Sequence, residues 1–91
     1  MNNISFAEIA EDLKEGREIE FSYRGKHYSI TNSAGYWNFC CDTDKDVIER
    51  ICPFDDKVKL VERISSVCID SVPLSMIFDK GKYDPQSVYI L

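Results

Sequence analysis

The sequence predicts an α+β fold: an N-terminal helix, a three-stranded antiparallel meander, then short helices and a C-terminal strand. Three observations predict it. Phe6, Ile9, Ala10 and Leu13 recur at i, i+3, i+4 and i+7, so they share one helical face. Residues 18 to 41 alternate apolar and polar with a period of two, the signature of half-buried strands. Beyond Cys41 the apolar residues return to short runs at helical spacing, punctuated by Pro53 and Pro73.

The first helix carries its own start and stop signals. Ser5 with Glu8 three residues on is a capping box, and Ile4 with Ile9 stands where a hydrophobic staple closes it. Gly16 supplies the left-handed residue that ends the helix.

In the meander, Ile19, Phe21 and Tyr23 point one way, while Glu18, Glu20 and Ser22 point the other. A turn at Arg24-Gly25 pairs Tyr23 with Lys26, Phe21 with Tyr28 and Ile19 with Ile30. A second turn centred on Ser33-Ala34 sets Ile30 opposite Trp37 and Tyr28 opposite Phe39. Both registers gather the large side chains on one face, and a one-residue slip in either turn is expected to scatter them. Cys41 then joins Trp37 and Phe39 in the core, and Cys40 faces outward. Adjacent residues on a strand diverge, which disfavours a bridge between these two thiols.

The stretch DTDKDVIERICP reads as a short helix begun by Thr43 or Asp44, with Val47, Ile48 and Ile51 inward and Pro53 ending it. FDDKVKLVERISS reads as another helix, capped by Asp55, with Val58, Val61 and Ile64 on its inner face; the Val58-Leu60 alternation also suits a strand. VCID is short and β-rich, Pro73 opens a helical turn carrying Leu74, Ile77 and Phe78, KGKYDPQS is a loop, and VYIL is a terminal strand.

Composition bounds the function classes. A chain of 91 residues supports one core, so residues 1–91 form a single domain. A net charge of −5 works against phosphate-backbone binding and favours a cationic protein surface as partner. No apolar run reaches the roughly 20 residues that cross a bilayer, and MNNISFAEIAEDL is not a secretory leader, which predicts a cytoplasmic protein without membrane contact. Cys40, Cys41, Cys52 and Cys68 lack metal-ligand spacing, so they read as free thiols, and no metal or other cofactor is expected.

Candidate sites follow from register and charge. The predicted pairing places Ser22, His27 and Cys40 in one row, and a cysteine beside the only histidine is the minimum for a thiolate nucleophile. A flat sheet face supplies no oxyanion hole or cleft, so a cross-strand polar pair is the simpler reading. Asp42-Thr43-Asp44-Lys45-Asp46 opens like a calcium loop, but Val47 and Pro53 stand where glycine and a bidentate Glu are required. What remains is an acidic patch of Asp42, Asp44, Asp46, Glu49, Asp55 and Asp56, partly offset by Lys45, Arg50 and Lys57. Tyr36 and Asn38, beside Glu20 and Ser29, form a flat mixed patch of the kind used in protein contacts.

The order F-x-E-I-x-E-x-L-K-x-G-R-E-I-E-F-x-Y-R-G-K-x-Y-S-I from Phe6 to Ile30, with I-D-S-V-P-L-S-M-I-F from Ile69 to Phe78, resembles a group of short proteins encoded by phages, prophages and mobile elements of Gram-positive bacteria. The likeness departs at Ser71-Val72, where Gly-Lys is expected. It implies an α+β domain of mobile-element origin and brings no catalytic residue. Small acidic proteins of that origin commonly bind and block a host protein. The expected function is therefore a non-enzymatic protein-binding module, an inhibitor of a nucleic-acid-handling defence complex in the manner of an anti-CRISPR protein, whose acidic surface occupies a basic channel. Two alternatives stand behind it: a small regulatory or structural homodimer paired through a strand edge, and an enzyme using Cys40 and His27.

Overall fold

The computed structural model describes residues 4–91. Its elements run α1 (Phe6–Lys14), β1 (Ile19–Tyr23), β2 (Lys26–Ser33), β3 (Tyr36–Cys41), β4 (Asp46–Pro53), α2 (Lys57–Ser66), β5 (Cys68–Ile69), β6 (Val72–Pro73), α3 (Leu74–Asp79) and β7 (Asp84–Ile90). Five strands form one antiparallel sheet in the order β4-β3-β2-β1-β7, and β5 with β6 makes a small separate ribbon. The α+β expectation holds. Among the described residues no helix is long and apolar enough to cross a membrane.

Ser5 caps α1 by accepting from the Glu8 N–H at 3.2 Å. The reciprocal half of the capping box is replaced by a Ser5 Oγ to Glu8 Oε1 contact of 3.5 Å. Ile9, Ala10 and Leu13 are buried as predicted, Ile4 and Phe6 lie partly buried against the core, and Gly16 ends the helix at φ +87°.

The first hairpin has the predicted register throughout, from Tyr23 opposite Lys26 to Ile19 opposite Ile30. The second does not. Its turn residues are Ala34 and Gly35, at φ +52° and +84°, matching the +52° and +83° of Arg24 and Gly25. This geometry, positive at both central residues, follows the right-handed strand twist and favours glycine at its second position, so the turn sits one residue beyond Ser33-Ala34. Ile30 consequently faces Phe39 and Tyr28 faces Cys41. Displacing a turn by one residue moves the register by two, an even number, so the large side chains keep their face instead of scattering.

The largest correction falls on residues 43–53, which form no helix. Asp42 to Lys45 make a turn, with Lys45 at φ +54° and its N–H bonded to the Asp42 carbonyl at 3.2 Å, and the chain returns as β4. Register breaks between Trp37 and Asn38 and between Phe39 and Cys40 show β4 carrying extra residues at Ile48 and Ile51. Each inserted residue resets the alternation, so two of them convert a period of two into spacing that imitates a helix. Ile51 is inward as expected, but Val47 and Ile48 are exposed.

In α2 the cap is Asp56, accepting from the Lys59 N–H at 3.1 Å, and not Asp55. The buried face is accordingly Leu60 and Ile64, with Val58 exposed. In α3, Leu74, Ile77 and Phe78 are buried as predicted. β7 begins four residues before the expected VYIL and pairs with β1. Ahead of it the buried Tyr83 accepts from the Ile4 N–H at 2.7 Å, tying the chain before α1 to the base of β7.

The helices cover one face of the sheet, and one apolar cluster from Ile9 to Tyr83 lies between the layers. The turn joining β5 to β6 holds Asp70 at φ +50° and Ser71 at φ +69°. A left-handed non-glycine residue is strained by roughly 1 kcal/mol. Ser71→Gly should therefore raise unfolding stability by about 0.5 kcal/mol after the added chain entropy of glycine; a denaturant midpoint that falls would contradict the strain.

Candidate functional site

The sheet face turned away from the helices is uncovered, and strand register fixes what stands on it. Tyr89, Glu20, Ser29, Cys40 and Val47 form one row across all five strands. Thr31, Asn38 and Arg50 form a second, and Tyr36 lies beyond them opposite Pro53. Among the described residues Ser29 is the only buried polar one; its hydroxyl donates to Asp42 Oδ1 at 3.0 Å. The Arg50 guanidinium lies 4.7 Å from the Tyr36 ring centroid, a cation–π arrangement that holds both side chains against the strand.

The predicted Ser22-His27-Cys40 row is half correct. Ser22 Oγ lies 3.0 Å from His27 Nδ1. With the two-residue register shift, however, Cys40 stands opposite Ser29, and the backbone N–H of Asp42 meets the His27 carbonyl at 2.8 Å. His27 turns its other nitrogen to Glu20, at 3.2 Å from Oε1. One neutral tautomer satisfies the whole chain, with Nε2–H donating to Glu20 and the Ser22 hydroxyl donating to Nδ1. The order serine, histidine, carboxylate is that of a hydrolytic relay, but the three side chains lie flat along two paired strands, and the Ser22 N–H is bonded to Ser87 Oγ at 2.7 Å. The Ser22 N–H is thereby engaged and is not free to donate to an oxyanion developing beside its own hydroxyl.

Burial pushes the Cys40 thiol up, and the Asp42 charge adds to the effect. An activated cysteine needs the opposite shift. The Cys40/His27 dyad is thus not formed.

The acidic patch is divided. Asp42, Asp44 and Asp46 lie at the β3–β4 turn, while Asp55 and Asp56 follow the far end of β4, an eight-residue strand that spans roughly 25 Å. Most of these carboxylates have local partners. Asp44 accepts from Lys26 Nζ at 2.7 Å, and that bond holds its carboxyl below the usual range while raising the lysine. Glu49 faces Arg63 of α2 at 3.9 Å, Asp42 accepts from Ser29, and Asp56 is spent on the helix cap. Lys45, Arg50, Lys57 and Lys59 are interleaved with the group. The surplus of negative charge lies elsewhere: Glu8, Glu11, Asp12, Glu15, Glu18 and Glu20 stand against only Lys14 and Arg17.

Among the described residues no group of three or more histidine, cysteine or acidic side chains is arranged to hold a metal ion. A shallow groove of about 340 Å³ between α1 and α2 is lined by Lys14, Lys57, Val58, Val61 and Glu62, on the helical layer and away from the open sheet face. Its lining holds no serine, threonine, cysteine or histidine.

Sequence reasoning placed Tyr36 and Asn38 on the open face correctly. It missed the Glu20–His27 contact, although the first hairpin already made these diagonal neighbours. Tyr89, the most exposed aromatic at 59%, was unreachable without knowing that β7 joins β1. No protein-family model, curated protein or solved structure matches this chain.

Proposed function

We propose that this chain is a non-enzymatic protein-binding module that meets its partner through the uncovered face of its sheet. The observation that carries the reading is a five-stranded sheet with helices on one side only, whose other side presents Tyr36, Asn38, Glu20, His27 and Tyr89 as a mixed aromatic and polar surface. Tyrosine with short polar side chains gives contact area at low entropic cost, as protein interfaces require. Four free cysteines suit a reducing compartment, in keeping with a cytoplasmic protein.

A narrower reading is an inhibitor of phage or mobile-element origin, directed against a nucleic-acid-handling complex. It rests on the net charge of −5 and the sequence resemblance. In that reading Asp42, Asp44 and Asp46 form the rim that meets a basic channel. Their pairing with Lys26 and Ser29 makes them a weaker anchor than the sheet face.

Affinity capture followed by a comparison of two variants separates these surfaces. Tyr36→Ala with Asn38→Arg should weaken binding to the captured protein more than tenfold, on the scale of central interface residues. Reversing Asp42, Asp44 and Asp46 to Lys should cost less, with a modest salt dependence. A complex that survives the face variant and is lost in the triple reversal would overturn the sheet-face reading in favour of the acidic one.

A further inference from the structure

The two edges of the sheet differ. β4 is guarded by Asp46, Glu49 and Arg50, by its two inserted residues and by Pro53, all devices that discourage edge-to-edge pairing. β7 has Pro85 near its start and a register break against β1 between Asp84 and Tyr89, and its end, Val88-Tyr89-Ile90, carries neither proline nor charge. Its outward backbone groups can be assigned. The Leu91 N–H donates to the Glu18 carbonyl at 2.8 Å, and Ile19 lies opposite Ile90, so alternation turns the N–H and C=O of Ile90 and Val88 away from β1. Among the described residues these groups have no backbone partner within the sheet, since β7 is its last strand.

The side chains beside that edge are polarised by face. On the helix side, Val88 and Ile90 lie partly buried against the core. On the open side, the exposed Tyr89 lies beside Glu20, with Glu18 and Asp84 near the two ends of the strand pair. Residues 18–23 and 83–91 contain three carboxylates and no lysine or arginine.

From this we infer that the β7 edge is the docking site for an extended strand of a partner protein in which apolar residues alternate with lysine or arginine. The inference rests on the protein-binding reading and names the partner's chemistry. Added to Val88–Ile90, such a strand continues the sheet by main-chain hydrogen bonds. Its apolar residues extend the layer of Val88 and Ile90, and its cations lie on the open face over Tyr89 and toward Glu20. A second copy of this chain fits less well. It would set one acidic strand pair against another in a protein already at −5.

The test is amide hydrogen exchange on the isotopically labelled protein with a short capped peptide of alternating lysine and valine. Exchange at Val88 and Ile90 should slow about tenfold or more at saturation, since these amides gain acceptors, while the β4 amides are unchanged. A control peptide of alternating glutamate and valine should leave β7 unaffected, and Glu20→Gln should weaken the Lys-Val peptide severalfold with an unchanged melting curve. Equal protection of β4, protection by the Glu-Val peptide, or no protection at all would overturn the inference. So would protection that rises with protein concentration alone, which would make the occupant a second copy. If β7 fails while the Tyr36 and Asn38 variant still loses the captured protein, only the edge assignment falls and the sheet-face reading stands.

Discussion

Replacing Trp37 with Ala should destabilise the protein by about 3–5 kcal/mol, the range for removing a large aromatic from a packed core. Its side chain is 1% exposed, its ring stacks on Phe54 at 5.6 Å, and its Nε1–H donates to the Phe54 carbonyl at 3.1 Å. The substitution removes the packing volume, leaves that carbonyl without its donor, and loosens the residue that leads β4 into α2. At roughly 4–8 °C per kcal/mol for a domain of this size, the melting temperature should fall by more than about 12 °C. Tyr36→Ala, one position earlier on the opposite face, provides the contrast. Its side chain is exposed and should cost about 0.5–1 kcal/mol, chiefly the contact with Arg50. Equal effects of the two substitutions would mean that the sheet faces are reversed.

That contrast was legible in the sequence because alternation is a local property, and local properties survived where longer-range ones did not. The face of the strand residues from Ile19 to Cys41 follows from the period of two and is unchanged by the second turn's being placed one residue early, although Ser29, expected in the exposed patch, is buried. The partners of those residues were another matter. Whether Cys40 meets His27 or Ser29 depends on which two residues take positive φ, and Ser33-Ala34 and Ala34-Gly35 differ there only by a glycine preference. β4 was hidden for a related reason. Its inserted residues at Ile48 and Ile51 spread the apolar side chains at helical intervals, and an edge strand also lacks the second neighbour whose burial would have sharpened the pattern. The spacing of the acidic residues was hidden for want of the fold itself: those contiguous in sequence from Asp42 to Asp56 are drawn toward opposite ends of one extended strand.

The four thiols supply a measurement that joins register to chemistry. Cys68 is exposed, Cys40 is half-buried, and Cys41 and Cys52 are buried. In the native protein at neutral pH, Cys68 should react first with a small thiol reagent. Cys40 should follow more slowly, because burial raises its pKa and so reduces the thiolate present, and its rate should climb as pH rises. Cys41 and Cys52 should be protected more than about a thousandfold, since their sulfurs reach reagent only through opening of the core, whose free energy approaches that of global unfolding. His27→Ala should leave the Cys40 rate unchanged, because His27 is engaged by Ser22 and Glu20 and the strand partner of Cys40 is Ser29. Asp42→Asn should speed it instead, by removing a negative charge that helps push the thiol up. If Cys40 labels rapidly near pH 6 and slows in His27→Ala, the second hairpin has the other register, and a cysteine-histidine nucleophile returns as the better account of this face.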